Sequence, residues 1–470
     1  LQILRLAGGN ETGELAVLKW SRVRLYLSIL TCEGLFATLR ERIQYAPPPP
    51  EKPVVSGRGG QSLGVPRFYD YAGALHIHST YSDGAGTVGQ IAQAANQAGL
   101  DFLVLCDHSS LQARADGQDG WRGRTLILIG TEVTTDTGHL LALAVPDSYL
   151  PAPHEAVAAQ RAIQQSGGLG FVALPCDLKD HWRDFSLLQD GIGLEVFNLS
   201  AIARTKINLP ALAEVWRRYH SRRPQRAFHL VSARPTQELR LWDRLMAPPE
   251  PGLPARRVVG IASLDAHAVM KFARRSYPFP TYEETFRTLR THVVTAQPLS
   301  YGEAPANRRK SAREKDDALV HGALASGHCY MAYDNYADPT GFVFEAGPAN
   351  SPSTQMPLAL MGDALTLPLA SDADRSAFVL TAQAPRTRSL VRLYKDGRLV
   401  AAARGGRLEY PVHAPGVYRV EVFLYRYRLG SLCLGAKPWI FSNPIYVQPA
   451  SLPAALATQG DKGTSVQAKM

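Results

Sequence analysis

From residue 68 to about 270 the chain alternates short apolar runs with amphipathic stretches, the pattern of strands and helices that follow one another around a parallel sheet or barrel. Ala74–Ser79, Phe102–Leu105, Leu126–Ile129, Leu140–Val145, Phe171–Leu174, Leu194–Phe197 and Val258–Ile261 read as strands, most of them apolar on both faces and therefore buried on both. Between the first two, Val88, Ile91, Ala94, Ala95 and Ala98 recur at helical spacing and Gly99 follows, which predicts a helix closed by a glycine just past its end. Residues 156–165 and 209–219 read as helices covering the sheet, and 282–290 with 312–326 as a further helical zone.

Beyond about residue 335 the period shortens. Runs at 378–380, 391–393, 398–400, 417–422 and 444–447, separated by turns such as Lys395-Asp396-Gly397 and Ala414-Pro415-Gly416, predict an antiparallel β-sandwich over 336–450. At the other end Pro47-Pro48-Pro49-Pro50 and Pro53 favour an extended spacer. The expected organisation is thus an N-terminal segment with linker over 1–67, an α/β domain over 68–335, the sandwich, and a polar, disordered tail over 451–470.

Composition narrows the function classes. Lys and Arg outnumber Asp and Glu by 51 to 41, a net charge of +10 that invites anionic ligands. The densest basic stretches, 221–226 and 308–310, are short and not interleaved with aromatics, so nucleic acid is not expected as a partner. Five scattered cysteines without a C-x-x-C exclude a disulfide scaffold and a thiolate zinc site. No uncharged apolar run approaches the roughly 18 residues of a membrane span. A basic chain with free cysteines is compatible with the cytoplasm, while the first residue, Leu, leaves room for a signal upstream and an exported location, so the compartment stays open. Nothing in the pattern fixes an oligomeric state.

Histidines and acids gather at the ends of the apolar runs. His76-Ile77-His78 closes the first strand, where residues i and i+2 face the same way with Cα atoms about 6–7 Å apart. Asp83 follows in the next loop, Asp107-His108 closes the second strand, Glu132 the third, His139 opens the fourth, and Asp265-Ala266-His267 closes the last, with none inside a strand. In a closed α/β barrel the C-terminal strand ends share one face, so these side chains converge and predict a metal centre. Nitrogen and oxygen donors without thiolates suit zinc, manganese or iron, and there are more donors than one ion needs. Glu132 is placed to bridge two ions, whose charge would ionise a bound water near neutral pH for attack on a phosphorus or carbonyl centre. Lys271, Arg274 and Arg275 are candidates to clamp a substrate phosphate, Asp107 to orient a ligand histidine, and Cys106 reads as buried packing.

The order His-x-His, Asp, Asp-His, Glu, Gly-His-Leu-Leu, Asp-Ala-His, running from about 72 to 270, resembles the polymerase and histidinol phosphatase (PHP) superfamily. The resemblance implies an α/β fold with a distorted (β/α)7 TIM-like barrel, two or three divalent ions and hydrolysis of a small-molecule phosphoester. Carried over by motif, His76, His78, Glu132 and Asp265 would hold one ion, Asp83, His108 and His267 another, and Glu132 with His139 one between; His108, His267 and Asp265 are the catalytic candidates. The chain departs from the pattern at Leu174, where a metal-binding histidine is expected, with Cys176, Asp177 and His181 as possible substitutes. Two firm ion sites and a weaker third follow. Residues 282–292, 415–422 and 438–447 are similar to the branch that includes carbamate-ester hydrolases and carries a C-terminal β-sandwich, although Trp439 and Phe441 read more simply as core. Two alternatives stand beside the phosphoesterase: a carboxyl or carbamate ester hydrolase using the same site, and a barrel that has lost catalysis and serves as a binding or scaffold protein, for which Leu174 is the main support.

Overall fold

The computed structural model describes residues 43–45, 68–149, 155–206, 214–215, 217–219, 224–248, 254–272, 275–301, 309–348, 356–367, 378–429 and 432–449. The proline-rich stretch, most of the expected helix at 209–219 and the tail at 451–470 lie outside them. The chain divides into two compact units, one of 1–48 with 424–437 and one of the remainder. In the first, the short strands Ile43–Tyr45, Tyr427–Leu429 and Leu432–Leu434 form an antiparallel sheet with the last in the middle.

The second unit is mixed α/β. Its site-bearing strands are β1 (Tyr69–Ile77), β2 (Phe102–Leu105), β3 (Thr125–Ile129), β4 (Thr131–Thr134), β5 (His139–Leu143), β6 (Leu169–Ala173), β7 (Gly193–Asn198), β8 (Gly260–Ser263), β9 (Arg290–Thr295) and β10 (Cys329–Ala332). The helices used below are α1 (Val88–Ala98), α2 (Ala156–Gln165), α3 (Leu199–Lys206) and α4 (Thr236–Met246). α1 and α2 fall where the helical spacing puts them. Thr87 caps α1 in a reciprocal pair with Gln90, and Gly99 ends it in the left-handed region at φ 73°, a conformation glycine adopts without steric cost.

Pairing differs from a regular barrel of alternating strands and helices. β1, β2 and β3 are parallel neighbours in one sheet, extended past β1 by the antiparallel β9 and β10. β8, β7 and β6 are parallel in a second sheet, extended by β5 and β4, both antiparallel. The sheets meet at their rims. Leu264 N–H donates to Leu75 O (3.0 Å) and His78 N–H to Ala266 O (3.0 Å), while Gly130 N–H donates to Leu105 O (2.8 Å). β4, β9 and β10 have no counterpart in the sequence reading: Thr131-Glu132-Val133-Thr134 is too polar to read as a strand, and the helix expected over 282–290 takes the first residue of β9 and leaves the rest unassigned. That helix stops at Phe286, since the chain must turn for β9 to pair with β1.

Beyond residue 335 the expected short strands are present. Ala359–Leu360, Val343–Pro348, Phe378–Gln383 and Arg407–Pro411 form their own antiparallel sheet. The remaining strands extend the large sheet instead: Lys437–Ser442 pairs with β10, so hydrogen bonding continues through residue 335 into the site-bearing strands. Trp439 and Phe441 are buried, and Phe441 packs on Phe197 of β7 with ring centroids 4.7 Å apart, the core role expected of them. Arg419 ties the same region to α4: it is almost wholly buried and makes a bidentate pair with Asp243, both contacts at 2.7 Å, and a third bond to Glu421. Among the described residues no helix is long and apolar enough to cross a membrane.

At the end of β1 away from the predicted site, His292 of β9 is buried between Asp70 (Nδ1 to Oδ1, 3.0 Å) and Asp334 (Nε2 to Oδ1, 3.2 Å). Burial alone would lower its pKa; the carboxylates of Asp334 and Asp70 reverse this and raise it to about 10. A raised folded-state pKa stabilises the protein fully below the unfolded value of about 6.5 and ceases to do so as pH climbs through about 10. His292→Gln, which leaves two buried carboxylates short of a cation, should cost about 3 kcal/mol near neutral pH. Melting curves should show the wild type losing stability between pH 7 and 10 and the variant with a flatter profile.

Candidate metal centre

The strand ends deliver the predicted donors to one rim. β1 ends in His76 and His78, with a bulge in the β1–β2 ladder between Leu75 and Ile77 and His76 itself at φ 62°. Leu174 after β6 (φ 51°) and Asp265 after β8 (φ 50°) share this left-handed backbone, which is rare without glycine and is held only where the surroundings enforce it. β2 runs into Asp107 and His108, and His108 bridges to Glu132 of β4. β5 runs antiparallel to both neighbours, so its first residue, His139, lies at the rim where the others end. Tyr282 braces the rim from below, its hydroxyl accepting from Gly86 N–H (3.2 Å) and donating to His78 O (2.8 Å).

Glu132 is the hub. Its Oε2 lies 3.3 Å from His76 Nε2, 3.4 Å from His78 Nε2 and 3.1 Å from His108 Nδ1, and its Oε1 lies 3.3 Å from His139 Nδ1. Asp265 Oδ1 stands 3.8 Å from His76 Nε2 and 3.5 Å from His78 Nε2. Asp83 Oδ1 stands 3.0 Å from His267 Nε2 and 3.6 Å from His108 Nε2. Among the described residues two groups have donor atoms all within 4.8 Å of one another: His76, His78 and Asp265, and His78, Asp83, His108 and His267.

Whether a cation fits is decided by two nitrogens. His76 Nε2 and His78 Nε2 are buried without a hydrogen-bond partner, a costly state for a polar atom. The carboxylate oxygens facing them are not aligned to bond, yet they stand at 3.3–3.8 Å. Two donors about 2.0–2.1 Å from one tetrahedral ion are separated by roughly 3.3 Å. The other ring nitrogens are already committed. His76 Nδ1 faces Glu195 Oε1 at 2.7 Å, His267 Nδ1 faces Asp265 O at 3.1 Å, and His78 Nδ1 faces Ser82 Oγ at 3.4 Å, whose hydroxyl donates to Asp107 at 2.6 Å. With an acceptor at each Nδ1, each of these rings in its neutral form presents the Nε2 lone pair to the cluster, the tautomer that binds metal. The donor set fits a divalent cation.

Electrostatics agree with that fit. Burial would push His76 down, but Glu195 and Glu132 on either side hold it well above the ordinary histidine value. Burial would push Glu132 up, and His76 and His108 hold it well below the carboxylate range. Asp265 is likewise lowered against its burial by His78 and His76. His78 is lowered, chiefly by burial, despite the Asp265 carboxylate that faces it. A divalent ion in this site would compete with the His76 proton, so metal uptake would release protons and weaken in acid.

Several sequence expectations change. Glu195, in the middle of β7, is an acid inside a strand, contrary to the rule that acids lie only at strand ends. It is fully buried, binds His76 Nδ1 and accepts from Leu174 N–H (2.9 Å) and Asn198 Nδ2 (3.0 Å). A lone carboxylate in the apolar run Leu194-Glu195-Val196-Phe197 was the available signal, since such a charge is costly unless it is bonded. Asp107 does not bond a ligand histidine directly; it accepts from Ser79 N–H (2.8 Å), Ser79 Oγ (2.7 Å) and Ser82 Oγ, fixing the turn that carries Asp83. None of the three substitutes for Leu174 is drawn into the cluster: Cys176 is half-buried near Glu238 with its thiol pushed up to about 12 by burial, His181 is exposed, and Asp177 holds Arg204 (Nε to Oδ1, 3.0 Å). Lys271 and Arg275 lie on the hairpin strands Met270–Phe272 and Arg275–Tyr277; their side chains, and Arg274 altogether, are outside the described residues. Cys106 is buried and its thiol is raised to about 12 by burial, as befits packing.

No family model and no curated protein matches the chain. Among solved structures, a two-domain protein containing a predicted PHP-like metal-dependent phosphoesterase from Bacteroides vulgatus is 12% identical, covering 83% of this chain and 100% of its own, at a TM-score of 0.31. A candidate metal-dependent phosphoesterase from Bifidobacterium adolescentis is 14% identical over 42% of this chain and 87% of its own (TM-score 0.23). An amidohydrolase from Chromobacterium violaceum, with sulfate and no metal bound, is 14% identical over 45% and 92% (TM-score 0.25). At these TM-scores they are loose likenesses.

Protein prepared without chelator should contain at least two equivalents of zinc, manganese or iron by elemental analysis. The His76→Ala/His78→Ala double variant should lose them and keep its circular dichroism spectrum. Glu195→Gln should keep the ions but bind them about 10–100-fold more weakly.

Proposed function

We propose that the chain is a metal-dependent phosphoesterase on a distorted barrel of the PHP type, with His76, His78, Glu132 and Asp265 around one ion and Asp83, His108 and His267 around another. The observation that carries this reading is the pair of buried, unbonded Nε2 atoms of His76 and His78, facing carboxylates at the spacing of co-ligands. The donor set suits zinc, manganese or iron. Divalent ions, when bound, supply Lewis acidity and a water that ionises near neutral pH.

The chain's own residues do the rest. Glu195, Ser82 and the Asp265 carbonyl hold three imidazoles in the binding tautomer. Glu132, touching four imidazoles, makes the two donor groups one cluster. His108 and His267 are partly exposed at the mouth and are the groups within reach of a substrate oxygen; whichever is not on an ion can carry a proton to the leaving group. A second reading has one observation in its favour. Leu174 contributes no donor to this rim, as in a barrel that binds ligands without turning them over.

Turnover of p-nitrophenyl phosphate and p-nitrophenyl acetate, measured side by side, tests the proposal. Phosphate cleavage should require added manganese or zinc, vanish with chelator and fall about 10²–10⁴-fold in His108→Asn. Faster cleavage of the acetate would move the activity to carboxyl esters. Bound ions with turnover of neither would leave the binding protein.

A further inference from the structure

One cation beside the cluster belongs to the protein. Arg204, in the last turn of α3, donates from Nε to Asp177 Oδ1 (3.0 Å) and from Nη2 to Asp265 Oδ2 (3.4 Å). Asp265 therefore divides its oxygens: Oδ1 faces His76 and His78, and Oδ2 faces the guanidinium. The anchor is rigid. Asp177 has a fully buried carboxylate that also accepts from the backbone N–H groups of Lys179 (3.0 Å) and Asp180 (3.1 Å), and its own N–H bonds back to Leu174 O (3.2 Å). Arg204 itself is still 38% exposed.

This arrangement differs from an ordinary surface ion pair. A guanidinium carries five N–H donors in a planar fork, and two are bonded to the carboxylates just named. The fork is held by a buried acid, so little conformational entropy remains to be lost when the free donors meet an anion. It stands against the outer oxygen of a carboxylate whose inner oxygen belongs to the metal cluster. The turn after β6 presents Leu174 to this rim in place of a donor side chain, and its Asp177 holds the Arg204 guanidinium of α3 beside the cluster.

We propose that Arg204 is the substrate-anchoring residue of the site: its fork binds the non-bridging oxygens of a phosphate monoester, holding the phosphorus over the cluster formed by His76, His78 and Asp265. Planar, bidentate recognition of phosphate is what arginine does and lysine does only as a point charge. The proposal rests on the metal-dependent phosphoesterase reading and adds a residue to it.

The test uses the full chain loaded with manganese, inorganic phosphate as the probe in calorimetry, and elemental analysis and melting curves in parallel. Arg204→Met should keep the wild-type metal equivalents and melting temperature while binding phosphate about 10–100-fold more weakly, the loss expected for charge-assisted hydrogen bonds. Its KM for p-nitrophenyl phosphate should rise in step. Arg204→Lys should recover part of the affinity. Asp177→Asn, which loosens the anchor and leaves the fork in place, should fall between wild type and Arg204→Met. Unchanged phosphate affinity in Arg204→Met overturns the proposal, and so does a loss of metal that accounts for the loss of phosphate, since Arg204 would then only brace Asp265. A wild type that takes up no metal overturns the phosphoesterase reading itself, and this proposal with it.

Discussion

The carboxylate of Glu132 is the contact on which the rest of this site depends. It is buried, it lies within 3.4 Å of four imidazole nitrogens, and no backbone group neutralises it. A carboxylate taken out of water must be paired. Here the partners are histidines from β1, β2 and β5, so the charge of one side chain dictates that three strand ends meet. His76 passes the constraint outward to Glu195, which in turn holds the backbone of Leu174 and the side chain of Asn198. Acids and imidazoles alternate from the interior of β7 to the mouth.

Holding these ends together takes local devices that cost stability elsewhere. His76, Leu174 and Asp265 adopt left-handed backbone, and β1 bulges at the first of them. The surrounding structure is correspondingly well filled. Apolar side chains of β1, β2, β3 and β5 through β8 are almost wholly excluded from water, and strands from the C-terminal region pack against β7 through Phe441 and Phe197. The sheet that carries the first histidines is the same sheet that accepts Lys437–Ser442, so the C-terminal strands support the site-bearing half of the molecule by direct hydrogen bonding.

How much was legible in the sequence follows from which forces act locally. α1 and α2, and at least part of each of the seven strands expected before residue 270, were readable because their apolar period and caps lie within ten or so residues. His76, His78, Asp83, His108, Glu132, His139, Asp265 and His267 were readable as a set because each ends or begins an apolar run, and the structure brings them to one rim. What escaped depends on partners distant in sequence. Glu195 looks like a defect in a strand until His76 is seen 119 positions away, bonded to it. Arg204 and Asp177 are ordinary helix and loop residues until they meet over Asp265. β9 escaped because Arg290–Thr295 has no turn signal before it, and its reason to be extended is the edge of β1. The distorted seven-unit barrel was an inference from family pattern; β5, which runs antiparallel to both neighbours and interrupts the alternation, brings His139 to the end where Glu132 lies.

The most direct test of the central claim is anomalous diffraction from crystals of the protein grown with manganese or zinc. The account predicts anomalous peaks within about 2.0–2.2 Å of donor atoms, one among His76, His78, Glu132 and Asp265 and another among Asp83, His108 and His267, with Asp265 Oδ2 still on Arg204. Peaks confined to surface histidines, with His76 Nε2 and His78 Nε2 bonded to protein groups or water, would contradict it.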